Sequence, residues 1–527
     1  MTSETRTCKN CTANFQIDPD DFSFYETIHV PPPTWCPECR MRRRMAWQGY
    51  TFLYKRKCDF TGEMVISSIP PDSPHKVYRQ DIWWSDKWDA KSYGREYDPT
   101  RPFFDQWREL QLAVPLPSLM TEYTTMIGSD YCNGAGTLKN CYLCFGFDGS
   151  EECAYCRISA DLKNCFDVSF AYHCELCYES TGLTKCYQVF FSQDCEECHD
   201  IWYSKDLVGC SNCIGCINLR NKNHYAFNQP VTKEEFEKLK KDPNIQKKAE
   251  EFFLTQPRRQ FRGYNNKDVL GDYIYHSKNV KNAYMVQNGE NLRYVHLLKN
   301  GPSANSMDYT SFGQGAEWIY ESTWVGIQTQ GVKFAIWAYK NHDIEYCFGC
   351  MSSGNLFGCV GIRSSEYCIL NKQYSKEEYT ALVKKIKENM PEYGENLPAE
   401  YSPWPVNETI LQEWFPIDEL EAKRRGLWWR EPDKKDWGPA HDHILKCEDC
   451  GRNYQYIQKE LDFYKRFHLV APKRCPFCRG QACIRQLNPI AIYNRKCAKC
   501  SKDIEMSYSP DRPEIVYCIE CYQAEVS

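Results

Sequence analysis

The run Cys153-Ala-Tyr-Cys156-Arg-Ile-Ser-Ala-Asp-Leu-Lys-Asn-Cys165-Phe-Asp-Val-Ser-Phe-Ala-Tyr-His-Cys174-Glu-Leu-Cys177 lies within a longer stretch, 132–216, in which cysteines recur on a 21-residue period. Cys132, Cys153, Cys174, Cys195 and Cys216 form one column, Cys144, Cys165 and Cys186 a second, and Cys156, Cys177 and Cys198 a third. A fixed period of this kind marks a solenoid, in which each repeat is one coil stacked on the last. Neighbouring columns say which way these positions face. One reads Cys141, Leu162, Leu183; another reads Phe147, Val168, Val189, Cys210; Leu207 continues the Cys144 column. A position that accepts Cys, Leu, Val or Ala is chosen for small apolar bulk, and free cysteine packs as a small hydrophobe. Equivalent residues of stacked strands lie about 4.8 Å apart, so each column becomes a buried ladder. Gly134, Gly136, Gly149 and Gly182 punctuate the short runs. The expected fold is mainly β, a parallel β-helix-like solenoid with thiol-rich ladders.

A metal reading competes with packing here. Cys153/Cys156 and Cys174/Cys177 are CxxC pairs one period apart, and four thiolates can hold zinc. Swaps to Ala, Leu and Val within the columns favour packing, because a ligand position does not tolerate them.

The array is repeated. Cys216-Ile-Asn-Leu-Arg220, Asn228 and Lys233-Glu-Glu-Phe236 recur 143 residues on as Cys359-Val-Gly-Ile-Arg363, Asn371 and Lys376-Glu-Glu-Tyr379. The solenoid is therefore expected in two halves, each closed by a short capping helix starting near Thr232 or Ser375, with a glutamate three residues on. The second half keeps only Cys347, Cys350, Cys359 and Cys368. Between the halves, 240–262 is charged and helical in pattern.

Beyond the arrays, both chain ends carry paired CxxC motifs. Cys8, Cys11, Cys36 and Cys39 at one end match Cys447, Cys450, Cys475 and Cys478 at the other at a constant offset of 439. Phe24-Tyr25 matches Phe463-Tyr464, His29 matches His468, and Arg40 matches Arg479 at the same offset. Each CxxC makes a knuckle presenting two thiolates, and two knuckles close a tetrahedron around zinc with no position left for water, as in a structural site. The C-terminal copy continues into a second set, Cys497, Cys500, Cys518 and Cys521; the N-terminal counterparts are Cys58, Thr61, Arg79 and Ile82. That second N-terminal ribbon is expected to hold no metal, with Cys58 a relic and Trp83 and Trp84 supplying its core. The count is about three structural zinc ions on twelve thiolates.

The implied organisation is an N-terminal zinc-ribbon module over 1–90, a linker over 91–126, a first array over 127–229 and a helical connector over 230–265. A second array over 266–371, a capping helix over 372–390, a linker over 391–440 and a C-terminal double zinc-ribbon module over 441–527 complete it.

At this point the chain resembles a known group. Cys447-x-x-Cys-Gly, Glu460-Leu-Asp-Phe-Tyr464, Pro472 and Arg474-Cys-Pro-Phe-Cys-Arg479 look like the treble-clef or zinc-ribbon family of small bacterial zinc domains. Asp511-Arg-Pro-Glu-Ile-Val-Tyr-Cys-Ile-Glu-Cys-Tyr522 resembles the closing ribbon of uncharacterised multi-ribbon proteins of candidate-phyla bacteria. The resemblance implies zinc at the twelve cysteines already named and transfers no activity.

Composition narrows the setting. Among 527 residues there are 32 cysteines and a net charge of −5. The N-terminal residues form no apolar signal core and no run reaches membrane-spanning length, so the expectation is a reducing cytoplasm without a membrane. Nothing in the pattern sets an oligomeric state. Arg40, Arg42, Arg43 and Arg44 with Trp47, then Lys55-Arg56-Lys57 and Lys473-Arg474, are candidates to grip the phosphates of a nucleic acid or nucleoprotein. The leading expectation is a non-enzymatic zinc scaffold for such a partner. Zinc storage or thiol sensing by the solenoid is one alternative. A β-helix enzyme acting on a polymer is another, although Glu151/Glu152 and Glu196/Glu197 are adjacent in strands and point to opposite faces.

Overall fold

In the computed structural model, which describes residues 2–298, 301–431 and 444–526, both arrays are parallel β-solenoids, each a 13-stranded sheet. Residues 432–443, where the expected second linker ends and the expected C-terminal module begins, lie outside the described residues.

The coil is shorter than the cysteine period. In the first array each strand pairs with the residue 12 further on: Phe145 with Arg157, Leu162 with Cys174, Leu183 with Cys195, Cys195 with Leu207. The 21-residue period is therefore not one coil, and the correction has a simple cause. Every third residue points inward, and every third residue, in a different frame, has a left-handed backbone, including Tyr155 (φ 60°), Asp167 (φ 54°) and Glu179 (φ 44°). Twenty-one is a multiple of that triplet, so it keeps cysteine on inward positions without returning to the same side of the coil. The true ladders run Cys132–Cys144–Cys156 and Cys141–Cys153–Cys165–Cys177.

The triplet also explains the choice of cysteine. Of three backbone N–H groups, one bonds forward to the next coil (Tyr142 N to Cys153 O, 2.9 Å) and one bonds back (Tyr155 N to Tyr142 O, 3.0 Å). The third belongs to the inward residue and faces the core. It donates to the side chain one coil earlier: Cys165 N to Cys153 Sγ at 3.5 Å, Cys177 N to Cys165 Sγ at 3.5 Å, Leu162 N to Ser150 Oγ at 2.9 Å. The thiol or hydroxyl in turn donates to the carbonyl two residues back, as Cys165 does to Lys163 O. A buried N–H without a partner costs about 1–3 kcal/mol, so the interior favours residues that are small, mostly apolar and still able to accept. Burial pushes the Cys144, Cys153 and Cys177 thiols upward, which keeps them protonated. These sulfurs share one core with Leu162, Val168, Leu183 and Val189.

The chain divides into two compact units. Unit one comprises Met1–Ser118 with Phe261–Arg430, and unit two comprises Leu119–Gln260 with Glu431–Ser527. Unit one thus joins the N-terminal module to the second array, and unit two joins the first array to the C-terminal module. In unit one, Leu397, Trp404, Ile410 and Leu411 also enter the core.

Each array ends in the same device. In unit two the Asn223–Ala226 strand turns back antiparallel to Gln229–Pro230; in unit one Glu366–Ile369 turns back onto Lys372–Gln373. Asn228 brackets the backbone of Ile217 at 2.9 and 3.0 Å, and Asn371 brackets Val360 at 2.8 and 2.8 Å. Helices Lys233–Leu239 and Lys376–Asn389 follow, each opened by a reciprocal cap, Thr232 with Glu235 and Ser375 with Glu378. Among the described residues no helix is long and apolar enough to cross a membrane.

Candidate metal centres

Each terminal module is a short hairpin, a helix and a second helix whose first turn carries two cysteines. In the N-terminal module the hairpin pairs Glu4–Thr7 with Asn14–Ile17, and its turn holds Cys8 and Cys11. Cys36 is the N-cap of the Pro37–Met45 helix, Pro37 occupies its first position, and Cys39 lies in its first turn. Proline is suited to that position because its missing N–H has no helical partner there. The C-terminal module repeats the plan with Cys447 and Cys450 between Leu445–Lys446 and Asn453–Tyr454, and Cys475 capping the Pro476–Ile484 helix. Its second ribbon places Cys497 and Cys500 in the hairpin turn, with Cys518 and Cys521 at the start of the Ile519–Val526 helix.

The three sets expected to bind metal come together. Within Cys8/Cys11/Cys36/Cys39, Cys447/Cys450/Cys475/Cys478 and Cys497/Cys500/Cys518/Cys521, all Sγ atoms lie within 4.8 Å of one another, and among the described residues these are the only such groups. Facing sulfurs stand 3.8 Å apart for Cys11 and Cys36, 3.7 Å for Cys450 and Cys475, and 3.9 Å for Cys500 and Cys518. A tetrahedral ion with metal–sulfur bonds of about 2.3 Å separates its ligands by about 3.8 Å, so the spacing suits a metal ion. Backbone amides prepare the thiolates: Cys36 N donates to Cys8 Sγ at 3.2 Å, Cys475 N to Cys447 Sγ at 3.2 Å, and Cys518 N to Cys497 Sγ at 3.3 Å. Burial opposes ionisation of Cys447 and Cys497, but these and neighbouring N–H groups outweigh it and hold both thiols down at about 6. One sulfur of each set, on Cys11, Cys450 or Cys500, belongs to an exposed residue.

The fourth ribbon keeps the knuckle without the ligands. Arg79 N still donates to Cys58 Sγ at 3.2 Å. Trp83 is buried, packs against Trp88 and Trp337, and lies under the Arg363 guanidinium at 5.3 Å.

The basic cluster expected to face phosphates lies elsewhere. Arg40 and Arg44 are 1% and 0% exposed, Arg43 is 5% exposed, and Trp47 is 0% exposed against Trp107 and Phe348. Three arginines enter a carboxylate socket on the second array. Arg40 meets Asp308 at 2.7 Å and Glu321 at 3.3 Å, Arg44 meets Asp308 at 3.2 Å and Glu321 at 3.4 Å, and Arg43 meets Glu321 at 3.4 Å and Glu395 at 3.0 Å. Arg42 bonds Glu38 at 2.6 Å. Within unit one these side chains are committed to docking, which the sequence pattern alone did not reveal.

Unit two contains the same socket. On the first array, Tyr155, Asp167, Glu179, Phe191 and Tyr203 occupy successive left-handed corners; on the second, Tyr294, Asp308, Glu321, Phe334 and Tyr346 do so. Arg479 fills the first-array socket, with Nε 3.0 Å from Asp167 and Nη2 3.7 Å from Glu460, and its guanidinium lies 4.8 Å from the Tyr155 ring. The aromatic contacts match as well: Tyr25 meets Tyr320 at 5.7 Å, and Tyr464 meets Tyr178 at 5.4 Å. This five-residue series was legible only with the 12-residue coil in hand.

Comparisons with protein-family models, with curated proteins and with solved structures find no match to this chain.

Proposed function

We propose that the chain is a non-enzymatic zinc scaffold. Zinc in the three four-cysteine sets fixes treble-clef modules, and the modules grip the solenoid arrays and offer an outer surface to a nucleic acid or nucleoprotein in a reducing compartment. The observation that carries this reading is the closed donor set: four thiolates at tetrahedral spacing leave no coordination position for water or substrate. Zinc supplies fixed geometry and charge there, and no reaction step is routed through it.

The partner is assigned to the C-terminal module. Its exposed side carries Lys465, Arg466, Lys473 and Arg474, where the N-terminal copy has Glu26, Thr27, Thr34 and Trp35. Lys473 and Arg474 pair with Glu448 and Asp449 at 3.3 Å each on partly exposed side chains, bonds that phosphates can replace at little cost. Metal analysis of the purified chain is expected to give about three zinc ions. Labelled RNA and DNA titrated at rising salt are expected to show affinity falling steeply with ionic strength, and to weaken on reversing Lys465 and Arg466 to glutamate. Binding that is micromolar or worse and independent of salt removes nucleic acid as the partner.

A further inference from the structure

We propose that the C-terminal module is a proton-sensitive cover on the first array, held more tightly at mildly acidic than at alkaline pH, and that the N-terminal module, docked by more arginines, depends on pH less.

The two copies of the socket carry different charge. In unit one, Arg40, Arg43 and Arg44 stand among Asp308, Glu321 and Glu395, and Asp21, the counterpart of Glu460, pairs with Arg293 at 2.9 Å. At the offset relating the two modules, the residues matching Arg43 and Arg44 are Ala482 and Cys483. The module of unit two therefore inserts one cation, Arg479, and the first array adds the buried Arg157, against Asp167, Glu460 and the half-buried Glu179. The Arg479 and Asp167 side chains are 2% and 0% exposed and Glu460 is 1% exposed, so water does little to screen the surplus of carboxylates.

From the first array, Arg157, Tyr155 and Tyr178 face the cluster. From the Gln458–Phe467 helix come Glu460 and Tyr464; from the Pro476–Ile484 helix, Arg479 and Cys483; and Arg474 acts on Glu179 from a greater distance. Cys483 donates to the carbonyl of Asp167, so its sulfur sits where an arginine would otherwise enter. Asp167 Oδ2 and both Glu460 carboxylate oxygens are buried without a hydrogen-bond partner, against a single such oxygen, Glu321 Oε1, in the socket of unit one. Buried carboxylates that outnumber the donors and cations around them relieve their desolvation by taking a proton.

Burial, with Asp167 adding to it, pushes Glu179 up to about 7, and burial pushes Glu460 up to about 7 against the pull of Arg479. Burial raises Asp167 as well. In unit one, burial raises Glu321 against the pull of three arginines, and burial raises Asp21 against the pull of Arg293. The sign follows. A carboxylate whose docked value is near 7 and whose released value is near 4.5 binds more protons when docked. Docking is then strongest below the released value, weakens as pH rises through the interval between the two, and levels off above about 7. Aromatic contacts from Phe463, Tyr464 and Phe467 to Phe166, Tyr178 and Phe190 remain at every pH, so the cover loosens rather than being expelled. Zinc has the opposite dependence, since acid protonates thiolates and releases metal; tighter docking at pH 6 than at pH 8 is not a metal effect.

The test uses the zinc-loaded full chain and amide hydrogen exchange, expressed as protection factors, at pH 6 and pH 8. Peptides within 458–484 are expected to lose about tenfold or more in protection at the higher pH, and those within 19–45 distinctly less. In a Glu179→Gln, Glu460→Gln variant the 458–484 dependence is expected to flatten. Equal dependence in both modules, no dependence in 458–484, or an unchanged slope in that variant overturns the proposal. If the variant does not fold, the comparison of the two wild-type modules decides alone.

Discussion

Unit one inserts three arginines into its socket and unit two inserts one, although the socket-forming corners Tyr-Asp-Glu-Phe-Tyr are the same in both arrays. The arrays differ in a second way. The first keeps a 12-residue coil and fills its inward positions with thiols. In the second, coil length varies: Lys267 pairs with Lys278, Gly289 with Ser303, Ser303 with Ala316, and Gln330 with His342. Its longest coils bracket Asp308, where the arginines enter. One socket can therefore sit on a regular or an irregular stack, provided the inward amides stay satisfied. Ser306 and Ser322 do this in the second array, accepting from Ile319 N and Ala335 N at 3.0 Å each.

The comparison breaks most drastically at the metal. Stripping the proposed zinc with a chelator is expected to unfold all three four-thiolate ribbons, since structural zinc contributes on the order of 10 kcal/mol to such folds. The hairpin holding Cys58 is expected to keep its protection, because Trp83 and Trp88 rather than a metal fill it. Hydrogen exchange before and after chelation separates the two behaviours, and loss of the Tyr54–Lys57 strand along with the others would contradict this assignment.

Next in size are the anchoring arginines. Arg40→Met leaves Asp308 and Glu321 buried beside fewer cations and is expected to cost about 3–5 kcal/mol. Arg479→Met at pH 6 is expected to cost about 1–3 kcal/mol, the range for an unsatisfied polar group, because protons cover the carboxylates. Denaturant unfolding of the two variants at pH 6 and pH 8 should show the gap narrowing at the higher pH.

A smaller effect tests the thiol ladder. Cys165→Val keeps the bulk but removes the acceptor for Cys177 N and is expected to cost about 1–3 kcal/mol. Cys165→Ser, which retains an acceptor, is expected to cost less. Equal losses would mean that packing alone selects cysteine. Smallest are the helix caps: Thr232→Ala and Ser375→Ala are each expected to cost about 0.5–2 kcal/mol and to match one another, since the reciprocal bonds are the same in both units. Thermal unfolding of the pair checks this.

Local spacing made much of this protein legible. Cys8, Cys11, Cys36 and Cys39 announce a four-thiolate set because a knuckle is fixed by its own short turn. Thr232 with Glu235 announces a helix start because the cap is closed within one turn. The loss of ligands at Thr61, Arg79 and Ile82 was equally plain. The coil length was not, because 21 and 12 share the inward triplet, and asparagine, aspartate and glycine at every third corner (Asn140, Gly149, Asp161, Asn164) were the stronger signal.

Residue spacing alone is enough to cluster the thiols at the two ends in fours, to turn those in the middle toward an interior, and to reveal that both parts are duplicated. Only the tertiary structure decided the 12-residue coil and the fate of the basic cluster. It also decided the pairing of the N-terminal module with the second array and of the C-terminal module with the first. The physical reason is distance along the chain. Ligand knuckles and caps close over a few residues, whereas Arg40 meets Asp308 across 268 positions and Arg479 meets Asp167 across 312. A buried charge takes whichever partner the folded chain brings to it, and no local pattern names that partner in advance.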